Sequence, residues 1–235
     1  MLLQIAMRRW FPISLLIACS MAHAGENLDS VIVNSPAFLE SHPDLRYRAL
    51  GAEAYNDGKY REALDYFRRA ARYADKPSQN LLASMHWNGI GCETDHAAAY
   101  AWMNLAAERG YADPVRMRDI YWQALSEDER KRALKLGKQL EAEYGDAQAK
   151  QREQTEVRFS LSHSFGAHPA LASYSGFVNL RDQYGMFHRV DKSLYYSARF
   201  WQPKEYWQWQ DEQWKPPAQG RVTVLPIVPL SGDKP

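Results

Sequence analysis

Residues 81–107 read LLASMHWNGIGCETDHAAAYAWMNLAA, and residues 50–71 read LGAEAYNDGKYREALDYFRRAA. Laid one on the other, the two stretches fall into register. Leu50, Tyr55 and Gly58 meet Leu81, His86 and Gly89 at a spacing of 31. Ala63, Tyr66, Phe67, Ala70 and Ala71 meet Ala99, Trp102, Met103, Ala106 and Ala107 at a spacing of 36. The difference is an insertion of five residues in the turn after the glycine. Self-similarity at such a period marks stacked helical hairpins. Small residues at the recurring positions let helices approach closely, and the aromatics fill the volume that is left. Gly58 and Gly89 stand where a helix has to stop and turn left-handed, a conformation that glycine adopts without steric cost. A single hairpin cannot bury its apolar face by itself, so the units must stack.

The pattern extends in both directions. Asp113-Pro114 reads as a cap followed by a proline in the first helical position, opening a helix over VRMRDIYWQAL. Ser126 and Glu129 form a capping box ahead of ERKRALKLGKQLEAEY, whose narrow apolar stripe of Ala133, Leu136, Leu140 and Tyr144 suits the closing helix of a solenoid. The expectation is an all-α fold: a short α/α solenoid over residues 44–145, with a lead-in at 25–43 and an irregular, aromatic-rich extension at 146–235.

Gly89-x-Gly91, Asp95, Ala99, Trp102 and then Ala106-Ala107-Glu108-Arg109-Gly110-Tyr111 resemble a SEL-one-like repeat, a branch of the tetratricopeptide-like superhelices. The earlier unit, from Asp57-Gly58 to Ala63, has the shorter turn of an ordinary tetratricopeptide repeat. The sequence departs from the family in its small number of units and in Cys92, which stands where the family usually has valine. The resemblance implies a scaffold that binds proteins and catalyses no reaction. It makes Leu50, Tyr55, Gly58, Ala63, Tyr66, Ala70, Leu81, Gly89, Gly91, Ala99, Trp102, Ala106 and Gly110 structural residues of the repeat.

Other motifs in this region carry less. Gly89-Ile90-Gly91 follows no strand and has no Gly-rich continuation, so it is an interhelical turn and not a dinucleotide loop. Cys92 and His96 are two ligand types where zinc needs three or four, and recruiting Asp95 and His86 requires geometry that spacing does not supply. Cys92 reads more simply as a small apolar turn residue and His96 as a solvated one. The acids Glu127, Asp128 and Glu129 sit in a helix first turn, where carboxylates complement the dipole. No nucleophile elbow or zinc-protease motif is present. No cofactor, metal or catalytic residue is expected.

The chain has 235 residues, a formal net charge of +1 and two cysteines. That charge gives no global field toward nucleic acid, and two cysteines give no disulfide framework. Arg8 and Arg9, the apolar run FPISLLIACSMA and Ala22-His23-Ala24 have the three parts of a secretory signal over residues 1–24, with cleavage before Gly25. The apolar run is shorter than the ~20 residues a spanning helix needs, so no transmembrane segment is expected in the mature chain. Leu16-Ile17-Ala18-Cys19 also fits a lipobox, which makes Cys19 a lipidation candidate and a lipid-anchored form the alternative to soluble release. The expected location is periplasmic or secreted.

After Gly145 the helical period fades. Residues 151–177 read as a polar, glycine-dotted linker with a short strand at Val157–Leu161. A dense aromatic run follows: Phe187, Tyr195, Tyr196, Phe200, Trp201, Tyr206, Trp207, Trp209 and Trp214. Disordered chains are poor in such residues. A short helix is expected from Pro203, and a strand in RVTVLPIVPL. The aromatics either pack on the last repeats or form a platform for a carbohydrate, and packing is the better reading because Trp207 and Trp209 point differently on a helix. The function expected is an exported interaction or scaffold module whose concave face, lined by the first helix of each unit, takes a protein or peptide. The alternative is an envelope protein that uses the tail aromatics to bind or hydrolyse carbohydrate.

Overall fold

The computed structural model describes residues 28–165, 176–182 and 184–214. The signal segment, Cys19 and the RVTVLPIVPL strand lie outside the described residues. Two short helices, α1 (Leu28–Val33) and α2 (Pro36–Ser41), lead into three hairpins. The hairpins are α3 (Pro43–Asn56) with α4 (Tyr60–Ala71), α5 (Lys76–Asn88) with α6 (His96–Ala106), and α7 (Ala112–Ala124) with α8 (Glu127–Tyr144). In the first two hairpins the paired helices pack closely on each other and α4 packs on α5; in the third, contrary to the repeat expectation, α7 and α8 each pack on α6 more than on one another. The fold is the α/α solenoid that the repeat spacing implies.

Local signals set the helix ends. Asp75 and Asp95 cap α5 and α6, accepting from the backbone N–H of Ser78 and Ala98. The Ser126–Glu129 capping box starts α8, the Ser126 hydroxyl accepting from the Glu129 N–H and the Glu129 carboxylate from the Ser126 N–H. At α7 the expectation shifts slightly: the helix starts at Ala112 with Tyr111 as its cap, which places Asp113 and Pro114 inside the first turn. The missing proline N–H is still one that no intrahelical bond would use.

The array core runs from Ala54 through Ala63, Phe67, Leu82, Met85, Ala99, Trp102 and Leu105 to Tyr144, all buried. Trp102 meets Tyr144 edge-on at 4.8 Å. That contact ties the second unit to the end of the third, which is how one aromatic can hold neighbouring hairpins together.

Beyond Gly145 the linker expectation is overturned. Residues Asp146–Phe165 form a 20-residue helix, α9, and no strand occurs at Val157–Leu161. Its buried positions are Ala149, Glu153 and Val157. They recur at i, i+4 and i+8, a true helical face with an acid at its centre, so no hydrophobic period shows. Then come an antiparallel pair, β1 (Phe177–Arg181) and β2 (Phe187–Asp191), with Phe177 opposite Asp191 and Arg181 opposite Phe187. Two four-residue helices, α10 (Lys192–Tyr195) and α11 (Ala198–Trp201), lead to α12 (Pro203–Trp214). The Pro203 helix is therefore present and longer than its expected turn or two.

These tail elements pack with the N-terminal helices and α9. Ile32, Phe38 and Leu45 share a second core with Val157, Leu180, Val190, Tyr195, Phe200, Trp201, Tyr206 and Trp207. His42 is buried at its centre, stacked on Phe38 at 3.7 Å. Its Nδ1 lies 2.9 Å from the Phe38 carbonyl and its Nε2 lies 2.8 Å from the Phe200 carbonyl. Burial holds its pKa below the ordinary value against the pull of Asp44 and the two carbonyls.

Candidate interaction site

The repeat residues singled out by spacing take up two kinds of position. Ala63, Ala70, Ala99 and Ala106 are fully buried and Trp102 is nearly so, whereas Leu50, Tyr55, Tyr66 and Leu81 are half-buried. Gly58, Gly89, Gly91 and Gly110 all have positive φ, between +65° and +75°. Tyr55 meets Tyr60 at 5.1 Å, and Tyr66 stacks on Tyr47 at 6.5 Å.

The turn between α5 and α6 does gather His86 and Cys92, with Nδ1 and Sγ 3.6 Å apart. Cys92 is half-buried and not fully enclosed. Burial raises its thiol above the ordinary range and lowers the His86 imidazole. An activated thiol needs the opposite shift. Asp95 is engaged in capping α6 and in an ion pair with Arg132. His96 turns away to Glu129, 3.3 Å off, and to the Trp87 ring. Among the described residues no group of three or more His, Cys, Asp or Glu side chains is placed to hold a metal ion.

Two charged features stand out on the described surface. The first is a seam where α12 and α9 cross the ends of the hairpins. Lys76, 1% exposed, donates to Gln79 at 3.1 Å, to the Leu105 carbonyl at 2.9 Å and to Glu108 at 2.8 Å, and it pairs with Asp146 at 3.0 Å. Arg109 pairs with Asp146 at 2.8 Å and with Asp211 at 3.2 Å, and its guanidinium lies 4.0 Å from the Trp207 ring centre. Burial alone would raise the Asp146 carboxyl; Lys76 and Arg109 outweigh it and hold it below the usual carboxylate range. Asp44 accepts from Tyr206 at 2.7 Å and from Gln210. This polar seam fastens the tail to the array.

The second feature is an open cleft of about 720 Å³ between α3, α4 and α9. Tyr47, Arg69, Arg72, Tyr73, Gln151 and Arg152 line it. The Arg69 guanidinium lies 5.7 Å from the Tyr47 ring centre and 5.8 Å from that of Tyr66. Arg152 donates to the Arg72 carbonyl at 2.7 Å. Burial lifts the Tyr73 hydroxyl above its ordinary range, with Glu156 and Tyr47 adding to it.

Most of the aromatic run packs inward, as the packing reading expects. Tyr195, Phe200, Trp201, Tyr206 and Trp207 are buried, and within the run Phe187 is the residue more than half exposed.

The model of the Sel1 repeat matches residues 47–72 and 76–111. The chain carries two Sel1 repeats. No curated protein matches it. Among solved structures it is similar to a protective antigen present in uropathogenic Escherichia coli strains that displays an SLR fold, at 21% identity and a TM-score of 0.41. That likeness covers 54% of this chain and 26% of the antigen chain.

The two matched Sel1 repeats correspond to α3–α4 and α5–α6 together with the following turn, so α9 and the tail lie outside them. Sel1 repeats are protein-binding scaffolds as a class, which makes the surfaces of the array the place to look for a partner. Sequence reasoning missed both the seam and the cleft. The signal available for the cleft was the spacing of Arg69 and Arg72, three apart on one helix face next to Tyr66 and Tyr73. Arg152 comes from a helix that showed no period and could not be placed.

Among the described residues no helix is long and apolar enough to cross a membrane.

Proposed function

We propose that this Sel1-repeat protein is an exported, non-catalytic interaction module. Its stacked hairpins take a protein or peptide partner along the concave side, to which α3, α5 and α7 contribute. The observation that supports the reading is the pair of matched Sel1 repeats, packed with a third hairpin on one continuous core. Such an array is a stiff, extended surface, and stiffness lowers the ordering cost of binding a peptide.

Site-directed photo-crosslinking tests the binding reading. Crosslinkers go at the exposed positions Glu53 on α3 and Arg116 on α7, with Lys135 on α8 as the control. A discrete adduct from the first two positions and none from the third is expected. Adducts that form from all three alike, or from none, overturn it.

Export is tested separately by the intact mass of protein recovered from the cell envelope. Cleavage before Gly25 is expected, because Ala22 and Ala24 supply the small side chains that a signal peptidase requires. An acylated N-terminal Cys19 would make the protein a lipoprotein, and an uncleaved chain would overturn export.

A further inference from the structure

We propose that the cleft between α3, α4 and α9 is a docking site for an acidic peptide segment, whose carboxylates are met by Arg69, Arg72 and Arg152. The inference rests on the protein-binding reading above and names the chemistry of the partner. Three guanidinium groups line this one concavity against a single lining carboxylate, Glu156. Their formal sum is 3 − 1 = +2, in a chain whose total is +1.

The arginines are held in place but not neutralised. Arg69 is exposed, and among the described residues no carboxylate lies within ion-pair distance of it. The Tyr47 and Tyr66 ring centres lie 5.7 and 5.8 Å from it instead. A cation–π contact of that kind takes up no guanidinium N–H in a hydrogen bond, so the group can still meet a carboxylate in a two-pronged contact. Arg152 is pinned by its bond to the Arg72 carbonyl, and among the described residues it likewise has no carboxylate partner. Arg72 reaches Glu143 only at 3.8 Å, with both side chains about half exposed. Such a pair contributes little and yields readily to a competing acid.

A structural role for the cations is the competing account, since the C-terminus of α4 favours positive charge. That end carries roughly half a negative charge. One arginine is enough to meet it, and here there are three.

The shape of the cleft selects a chain over other anions. Its volume falls within the roughly 300–1,000 Å³ of ligand clefts. Three helices wall it, so a flat bilayer cannot enter. Gln148 and Gln151 on its rim each offer both a donor and an acceptor, which suits the alternating groups of a peptide backbone.

The test uses fluorescence anisotropy on the full mature chain. The probe is a fluorescein-labelled peptide of alternating Glu and Ala, compared with the same peptide carrying Gln for Glu, with inorganic polyphosphate and with phosphatidylglycerol vesicles. The Glu peptide should bind, and weaken as salt is raised. Arg69→Gln should weaken it about tenfold, the size of one lost charge-assisted contact. The thermal midpoint should change little, because Arg69 is exposed and its guanidinium lies 5.7 and 5.8 Å from the two tyrosine ring centres. Glu156→Gln should tighten binding. Equal affinity for the Gln peptide, or an Arg69→Gln variant that binds like wild type, overturns the proposal. So does binding of polyphosphate or vesicles without the Glu peptide. If crosslinks form at Glu53 and Arg116 and the Glu peptide still fails to bind, the module reading stands and this inference falls.

Discussion

Glu153 is 1% exposed, and among the described residues neither of its carboxylate oxygens has a partner in good hydrogen-bond geometry. The Trp207 indole N–H beside it favours the ionised form only weakly. Burial pushes the Glu153 carboxyl well above the usual range; Asp44 and Asp75 add to the shift, and Arg109 opposes it. In the unfolded chain this group ionises near about 4.3. Above that pH the unfolded chain has released a proton that the folded state retains, so stability falls as pH rises toward the raised value. His42 works in the opposite sense. Its pKa is lowered in the fold, so stability is lost as pH falls below the unfolded value of about 6.5. Glu153→Gln removes the first dependence and leaves the second. The variant should be more stable than wild type at about pH 8, by roughly 1.4 kcal/mol for each pKa unit by which burial raises this carboxyl. The difference should shrink toward about pH 4, where wild type is also neutral at this position. Paired denaturant melts across that range check it, and a variant less stable than wild type at about pH 8 would show that the ionised carboxylate is a favourable part of the seam.

Among the elements, the glycine turns separate two effects that usually come together. Gly58 and Gly91 both have φ +75°. A Cβ on Gly58 would meet nothing within 4 Å, whereas one on Gly91 would sit 2.6 Å from the backbone carbonyl of Tyr60, at the start of α4. Alanine at either site carries the left-handed penalty of about 1–2 kcal/mol. At Gly91 it must also push two hairpins apart, so Gly91→Ala should cost roughly twice as much as Gly58→Ala. Urea melts of the two variants decide it, and equal losses would mean that the turn can shift freely against α4. These hairpins were legible because their constraints repeat: Gly58 and Gly89 recur at one spacing, and Ala63 and Ala99 at another. Helix α9 was not, because its inward face carries Glu153 between Ala149 and Val157. The Lys76 and Arg109 seam was not legible either. Its partners Asp146 and Asp211 lie far along the chain, and only the closed fold brings them together.

The molecule as a whole is built on two cores with different reach along the chain. The array core uses residues between Ala54 and Tyr144. The second core joins Val31–Leu45 to Leu180–Trp207, and the His42–Phe200 bond spans 158 residues. Removing residues 203–235 takes Tyr206 and Trp207 out of this second core and uncovers Asp44. Amide hydrogen exchange should then speed up by about tenfold or more in α1, α2 and α9, as local opening becomes easier. The amides of α5 and α6 should keep their protection. Uniform loss along the chain would mean that the two cores melt as one unit. The reach of the second core also sets an order in time. A chain leaves the ribosome N-terminus first, at about 5–20 residues per second. The three hairpins can close as soon as Tyr144 has emerged, but the core around Ile32, Phe38 and His42 is incomplete until Phe200 and Tyr206 follow. Helices α1 and α2 are therefore made before the array and fixed after it, and a nascent chain stalled before Phe200 holds a finished array with an open end.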